Sequence, residues 1–174
     1  MADLCLPYSF ISYFDELRTT FGVYKRWKFK EVDELKTMHL YDELTDKGIV
    51  RKINDLFYDK VYAHPWLSQF FAAIEQDFIS AQQSDFIIGA IGGPKLFSGR
   101  PPAFAHPHML ISDELFDLRE QLLTEAMNQL GAPGKLQEAW LHIDEAFRHV
   151  IVKKSLSECK PRYRQDTFLV FAKP

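Results

Sequence analysis

Apolar residues recur at helical spacing along most of the chain. Val50, Ile53, Phe57 and Val61 form one stripe, which predicts helix from about Asp42 onward. His64-Pro65 closes that helix, because the residue before a proline is driven out of the α region. A second helix is predicted over Ala72–Ala90, with Ile74 and Phe78 on one face and Ile79, Gln83, Phe86 and Ala90 on a neighbouring one. Gly92-Gly93-Pro94 stops it. Ser112 is placed to cap a third helix, with Asp113 and Glu114 in the favourable first turn. The stripe of that helix is Leu115, Leu118, Leu122, Ala126 and Leu130. Gly131-Ala132-Pro133-Gly134 breaks the chain before a last long helix marked by Leu136, Trp140, Ile143, Phe147 and Val150. Strand-like alternation is confined to Thr167–Ala172.

Two stretches do not fit the helical pattern. Residues 91–111 are rich in glycine and proline and read mostly as loop, and a loop of this length inside a compact domain is often functional. The first forty residues are unusually aromatic, with Tyr8, Phe10, Tyr13, Phe14, Phe21, Tyr24, Trp27 and Phe29. They predict one or two short helices, packed on the main body or on a second copy of the chain. The expected division is therefore an N-terminal extension over 1–40, a main helical domain over 41–154 and a C-terminal tail over 155–174.

Composition narrows the classes. A chain of 174 residues fits one domain. It is 47% hydrophobic and 14% aromatic, with 15 Phe, which suits either a broad apolar core or a pocket for a flat apolar ligand. The net charge is −3 with signs mixed along the chain, so no basic stripe argues for nucleic acid. The short run Lys25, Arg26, Lys28 and Lys30 is interrupted by Trp27 and Phe29 and reads as an amphipathic surface. No apolar run reaches membrane-spanning length, and the N-terminus lacks the features of a signal peptide. Cys5 and Cys159 lack metal-site spacing and read as free thiols, so the expected location is the cytoplasm.

Three places in the sequence carry candidate chemistry. The long loop ends in His106-Pro107-His108, where the proline stiffens the segment and can hold an imidazole in one direction. Zinc is disfavoured there, since no cysteine or acid lies nearby at ligand spacing. Gln83 interrupts an apolar helical face, and Tyr58 brings a hydroxyl to a core position; each polar group needs a partner if buried. Each also has a plain structural reading, at the edge of a face or at the surface. Taken together they fit a haem site: aromatic and aliphatic walls for the porphyrin, a neutral imidazole for the iron, and hydroxyl and amide donors for a gas carrying partial negative charge.

The motifs Leu56-Phe57-Tyr58-Asp59-Lys60-Val61, His64-Pro65-Trp66-Leu67, Phe70-Phe71, Gly92-Gly93-Pro94 and Phe97-Ser98-Gly99-Arg100, followed by Ala105-His106, stand in that order. In order and spacing they resemble the truncated haemoglobins, over roughly Tyr41–Ile151. The resemblance implies an all-α, globin-like fold, a two-over-two helical sandwich, here with extra N-terminal helices. It implies haem b as cofactor, with His106 as the iron ligand in preference to His108. It implies Tyr58 as the distal hydroxyl, with Ile79 and Gln83 over the iron, Phe71 flat on the haem, and Phe86, Ile111 and Phe116 as pocket walls. The Tyr–Gln pair looks most like group I. Arg119 departs from that pattern, standing where group I has an apolar residue facing the haem, and Thr45-Asp46-Lys47-Gly48 replaces the usual Gly-Gly between the first core helices. The implied ligands are oxygen, nitric oxide or carbon monoxide. The implied function is gas binding at a five-coordinate iron, with nitric oxide dioxygenation supported by a reductase as the enzymatic reading. Storage or sensing through a partner is the alternative, with the N-terminal extension as a candidate homodimer surface.

Overall fold

The protein is described from a computed structural model over residues 39–174. The expected N-terminal helices, Cys5 and the candidate dimer surface lie outside the described residues. Within them the ordered elements are helices: α1 (Leu40–Glu43), α2 (Ile49–Ala63), α3 (Gln76–Ala90), α4 (Pro102–Ala105), α5 (Asp113–Gln129) and α6 (Gly134–Ile151). Short 3-10 turns occupy Leu67–Phe71 and Leu156–Glu158. The α2–α3 pair packs on the α5–α6 pair chiefly through α2 against α5, and α4 lies on α6. No helix among the described residues is long and apolar enough to cross a membrane.

The turn that replaces Gly-Gly before α2 is closed by a side chain. One carboxylate oxygen of Asp46 accepts from the Gly48 backbone N–H at 2.8 Å, and the other meets Lys52 Nζ at 2.8 Å. The predicted stripe of α2 is buried, with Asn54 and Tyr58 included. At its end His64 is extended, as a pre-proline residue must be, and its Nδ1 accepts from the backbone N–H of Trp66 at 3.2 Å. The same residue thus stops α2 and starts the 3-10 turn.

The helix expected to begin at Ala72 begins at Gln76. The Tyr62 hydroxyl donates to the Ile74 carbonyl at 2.6 Å, engaging that oxygen in the linker before α3. Phe78 is 61% exposed, so Ile74 and Phe78 do not make a core face. The buried face of α3 carries two serines instead. Ser84 Oγ accepts from Asn54 Nδ2 at 3.0 Å and donates to the Ser80 carbonyl at 2.8 Å, while Ser80 Oγ donates to Asp55 at 2.6 Å. These small side chains let α2 and α3 approach while pairing their hydroxyls and the Asn54 Nδ2, although Asn54 Oδ1 is buried without a partner.

Ser112 caps α5 as expected, its Oγ accepting from the Leu115 N–H at 3.2 Å. The core face of α5 is Leu115, Phe116, Leu123, Ala126 and Met127, rotated from the predicted stripe, and Leu130 is at the surface. Gly131 ends the helix with φ of 61°, and the next N–H, from Ala132, returns to the Met127 carbonyl at 2.9 Å. Residues 91–111 are not all loop, because Pro102 starts α4 there. The strand-like pattern at Thr167–Ala172 forms no strand, only a bridge between Met109 and Leu169. That bridge still ties the tail down: Leu169 N–H donates to His108 O at 3.0 Å, Lys160 N–H to Pro107 O at 2.8 Å, and Trp66 Nε1 to Phe171 O at 3.0 Å.

Replacing the α5 cap, Ser112→Ala, is expected to lower stability by about 1 kcal/mol, read as a shift in the chemical denaturation midpoint with an unchanged slope.

Candidate functional site

Pro102 cannot donate a backbone hydrogen bond, but its carbonyl can accept, and His106 lies one helical turn later. The His106 backbone N–H reaches Pro102 O at 3.2 Å, and the ring Nδ1 lies 2.8 Å from the same oxygen. A carbonyl only accepts, so Nδ1 carries the proton and Nε2 presents a lone pair. Burial pushes the imidazole pKa down to about 4, with the Pro102 bond working in the other direction. The ring is therefore neutral at physiological pH, the form that ligates a metal. Lys153, itself buried, donates through Nζ to the His106 carbonyl at 3.0 Å and to the Ile151 carbonyl at 2.9 Å. The C-terminal end of α6 thus holds the backbone that carries the histidine.

His108 is the alternative in the same motif. It is 2% exposed, its backbone is bridged to the tail, and its Nδ1 is buried with no partner among the described residues.

Tyr58 projects from the third turn of α2 and is buried. Its ring stands edge-on to Phe57 (4.9 Å) and to Phe71 (5.8 Å). Burial raises the phenol pKa well above its ordinary value, so the group is a neutral O–H donor. The hydroxyl has no hydrogen-bond partner among the described residues. Arg119, on α5, sets its guanidinium 5.0 Å from the Phe57 ring centre and forms an ion pair with Asp144 on α6. Burial works against the arginine's charge, but the Asp144 carboxylate outweighs it and holds the pKa above the ordinary value. The charge of Arg119 is felt at both Tyr58 and His106.

Asp144 and Phe147 share one face of α6, and Phe147 lies 5.8 Å from Phe86 on α3. Phe86 also meets Phe97 of the loop at 5.2 Å. The contacts therefore run from Phe71 through Tyr58, Phe57, Arg119 and Asp144 to Phe147 and Phe86. Gln83 and Ile79 stand on the same side of α3 as Phe86, both partly buried, and the Gln83 amide has no partner among the described residues. The contacts that fix Ile111 and Phe116 run instead to the end of α6: Ile111 pairs with Val152, and Phe116 lies 4.2 Å beneath the Arg148 guanidinium. The sequence reasoning did not find Asp144, Lys153, Phe147 or the role of Pro102. An acid on the apolar face defined by Trp140 and Phe147 was the available signal for Asp144.

A partly buried, neutral histidine held by its own helical turn within this helical packing fits a globin-like domain. Residues 39–153, well over half of the chain, match the family model of the bacterial-like globins, and the chain belongs to that family. Within it the chain is most similar to truncated haemoglobins of group 1. It is 29% identical over 96 residues to a group 1 truncated haemoglobin of Tetrahymena pyriformis, covering 55% of this chain and 79% of the relative. A group 1 truncated haemoglobin of Mycolicibacterium paratuberculosis is 27% identical over 96 residues, covering 55% and 71%. A crystal structure of a Tetrahymena pyriformis truncated haemoglobin variant, in the Fe(III) form, superposes with a TM-score of 0.59 at 26% identity, over 66% of this chain and 98% of that one. A truncated oxygen-avid haemoglobin from Bacillus subtilis, at 23% identity and a TM-score of 0.55 over 65% and 98%, shares the fold. Membership carries haem-based binding of diatomic gases as the general activity.

Removing one member of the Arg119–Asp144 pair strands a largely buried charge. Arg119→Leu alone is expected to cost roughly 3 kcal/mol, and Arg119→Leu with Asp144→Leu much less, as measured by thermal melts of the two variants side by side.

Proposed function

We propose that His106 would hold haem b in this chain, and that the haem so held would bind oxygen, nitric oxide or carbon monoxide. The observation that carries this reading is the bond from His106 Nδ1–H to Pro102 O, which leaves the Nε2 lone pair available on a ring that burial keeps neutral. A metal-ligating histidine commonly donates its other ring N–H in this way, which sets the tautomer and strengthens the ligating nitrogen. His108 lacks such a bond. The haem iron supplies the open coordination position and the capacity to exchange an electron.

The remaining residues select and hold. Tyr58 offers a neutral hydroxyl with no internal acceptor, and Gln83 an amide with none among the described residues, on neighbouring helices. Both suit a ligand that carries partial negative charge. Phe71, Ile79, Phe86, Ile111 and Phe116 supply apolar wall. Haem binding belongs to the unit spanning 41–154, with the 155–174 tail bracing the segment that bears His106 and the 1–40 extension serving as a homodimer surface. The catalytic form of this reading is nitric oxide dioxygenation: nitric oxide, oxygen and one electron from a reductase combine to nitrate in the cytoplasm. The non-catalytic form is storage or sensing of the same gases. Rapid nitrate formation with a reductase present supports the first, and slow oxygen release without turnover supports the second.

His106→Ala is expected to abolish or strongly weaken haem uptake, so that the variant melts near the apo-protein rather than the haem-loaded one. A normal haem spectrum in His106→Ala, with loss in His108→Ala, would reverse the ligand assignment.

Tyr58→Phe keeps the ring and removes the donor. A hydrogen bond to a partly charged acceptor in a dry pocket contributes roughly 1.5–3 kcal/mol, so oxygen should dissociate about tenfold to a hundredfold faster. Gln83→Leu should act in the same direction but less, and carbon monoxide dissociation should change far less in both. Flash photolysis and stopped-flow release rates decide this; equal changes for the two gases would mean the residues act by shape alone.

A further inference from the structure

Arg119 is the departure from an apolar pocket wall, and the structure turns it inward. Its side chain is 22% exposed and is anchored by Asp144, whose side chain is 9% exposed. The guanidinium stacks over Phe57, whose ring touches that of Tyr58. A pair serving only to join α5 to α6 would satisfy the fork of the arginine. Here Asp144 engages Nη1, and the other guanidinium nitrogens have no acceptor among the described residues. The arginine's charge lowers the pKa of both Tyr58 and His106, while Asp144 raises that of Tyr58. The guanidinium thus lies over Phe57, one ring away from Tyr58, with nitrogens that Asp144 does not engage.

We propose that Arg119 is a specificity-determining residue of this pocket: anchored by Asp144, its guanidinium selects small inorganic anions as ligands of the oxidised haem beside Tyr58. The inference rests on the haem reading above. An anion entering a dry site gains a charge-assisted hydrogen bond from Arg119 in addition to the Tyr58 hydroxyl, whereas a neutral ligand gains little from the charge. Asp144 is a positioning residue in this scheme, since it aims the guanidinium and leaves its remaining N–H groups free.

The test uses the full chain loaded with haem. Azide and fluoride are titrated into the ferric protein, and carbon monoxide binding to the ferrous protein is the uncharged control. Arg119→Leu with Asp144→Leu removes both charges without stranding one, and Arg119→Gln with Asp144→Asn does so while keeping a polar pair. Each double variant is expected to weaken azide and fluoride binding by about tenfold or more while changing carbon monoxide affinity by less than about threefold. Arg119→Lys should retain most of the anion affinity. The carbon–oxygen stretching frequency of the carbon monoxide complex, which falls in a positive field, should rise in both double variants. Either double variant showing a normal haem spectrum with unchanged azide and fluoride affinity, or an unshifted stretch, overturns the proposal and leaves the haem reading standing. If the unaltered protein takes up no haem at all, the haem reading falls, and this proposal with it.

Discussion

The carbonyl of Pro102 sets the state of the one side chain on which the rest of the site depends. By accepting from both the backbone and the ring of His106 it holds the residue in place and fixes the tautomer, while burial keeps the imidazole neutral against the pull of that bond. That carbonyl is in place because Pro102 opens a four-residue helix, too short to be stable alone. Its stability is borrowed. Lys153 at the end of α6 holds the His106 carbonyl, the tail pairs with Pro107 and His108, and Ser112 starts α5 just beyond. The histidine is thus positioned by groups far from it in sequence.

A second constraint is the treatment of polar atoms inside a Phe-rich core. Buried polar groups carry a desolvation cost unless paired, and most here are paired between helices: Asn54 with Ser84, Ser80 with Asp55, Arg119 with Asp144. Against that background the unpaired groups stand out. The Tyr58 hydroxyl and the spare N–H groups of Arg119 lie on one chain of contacts, and Gln83 shares the α3 side of Phe86, where that chain ends. Polar groups at these points, together with the rings of Phe71, Phe86 and Phe147, are what the proposed haem site would draw on. The Arg119–Asp144 pair also supplies what a tyrosine and a glutamine cannot, a permanent charge, at the junction of α5 and α6.

The helix pattern was legible from spacing alone. The stripe of α2, the stop at His64-Pro65, the cap at Ser112 and the break at Gly131 are local relations, encoded by residues three or four apart or by the φ preferences of single residues. Tyr58, Gln83 and His106 were marked as candidates in the same way, each a polar residue at odds with its surroundings. Where the reading slipped, a tertiary contact was responsible: the Tyr62 bond to Ile74 accompanies the start of α3 at Gln76, and burial against α2 and α6 selects Leu123 and Met127 over Leu118 and Leu130 on α5.

What spacing could not determine was direction and partnership. Sequence marked Arg119 as anomalous, but whether it turned outward or inward depended on Asp144, which α6 brings to it. Sequence offered two histidines, with His106 preferred by the resemblance, and the Pro102 carbonyl, Lys153 and the tail are what make their environments differ. Long-range pairs of this kind follow from which helix faces meet, and a single residue's type carries little of that information. The sequence by itself determined the helices, their ends and the chemical groups available. The tertiary structure decided which nitrogen of His106 is free and which way the charge of Arg119 points, because both depend on atoms supplied by other elements of the fold.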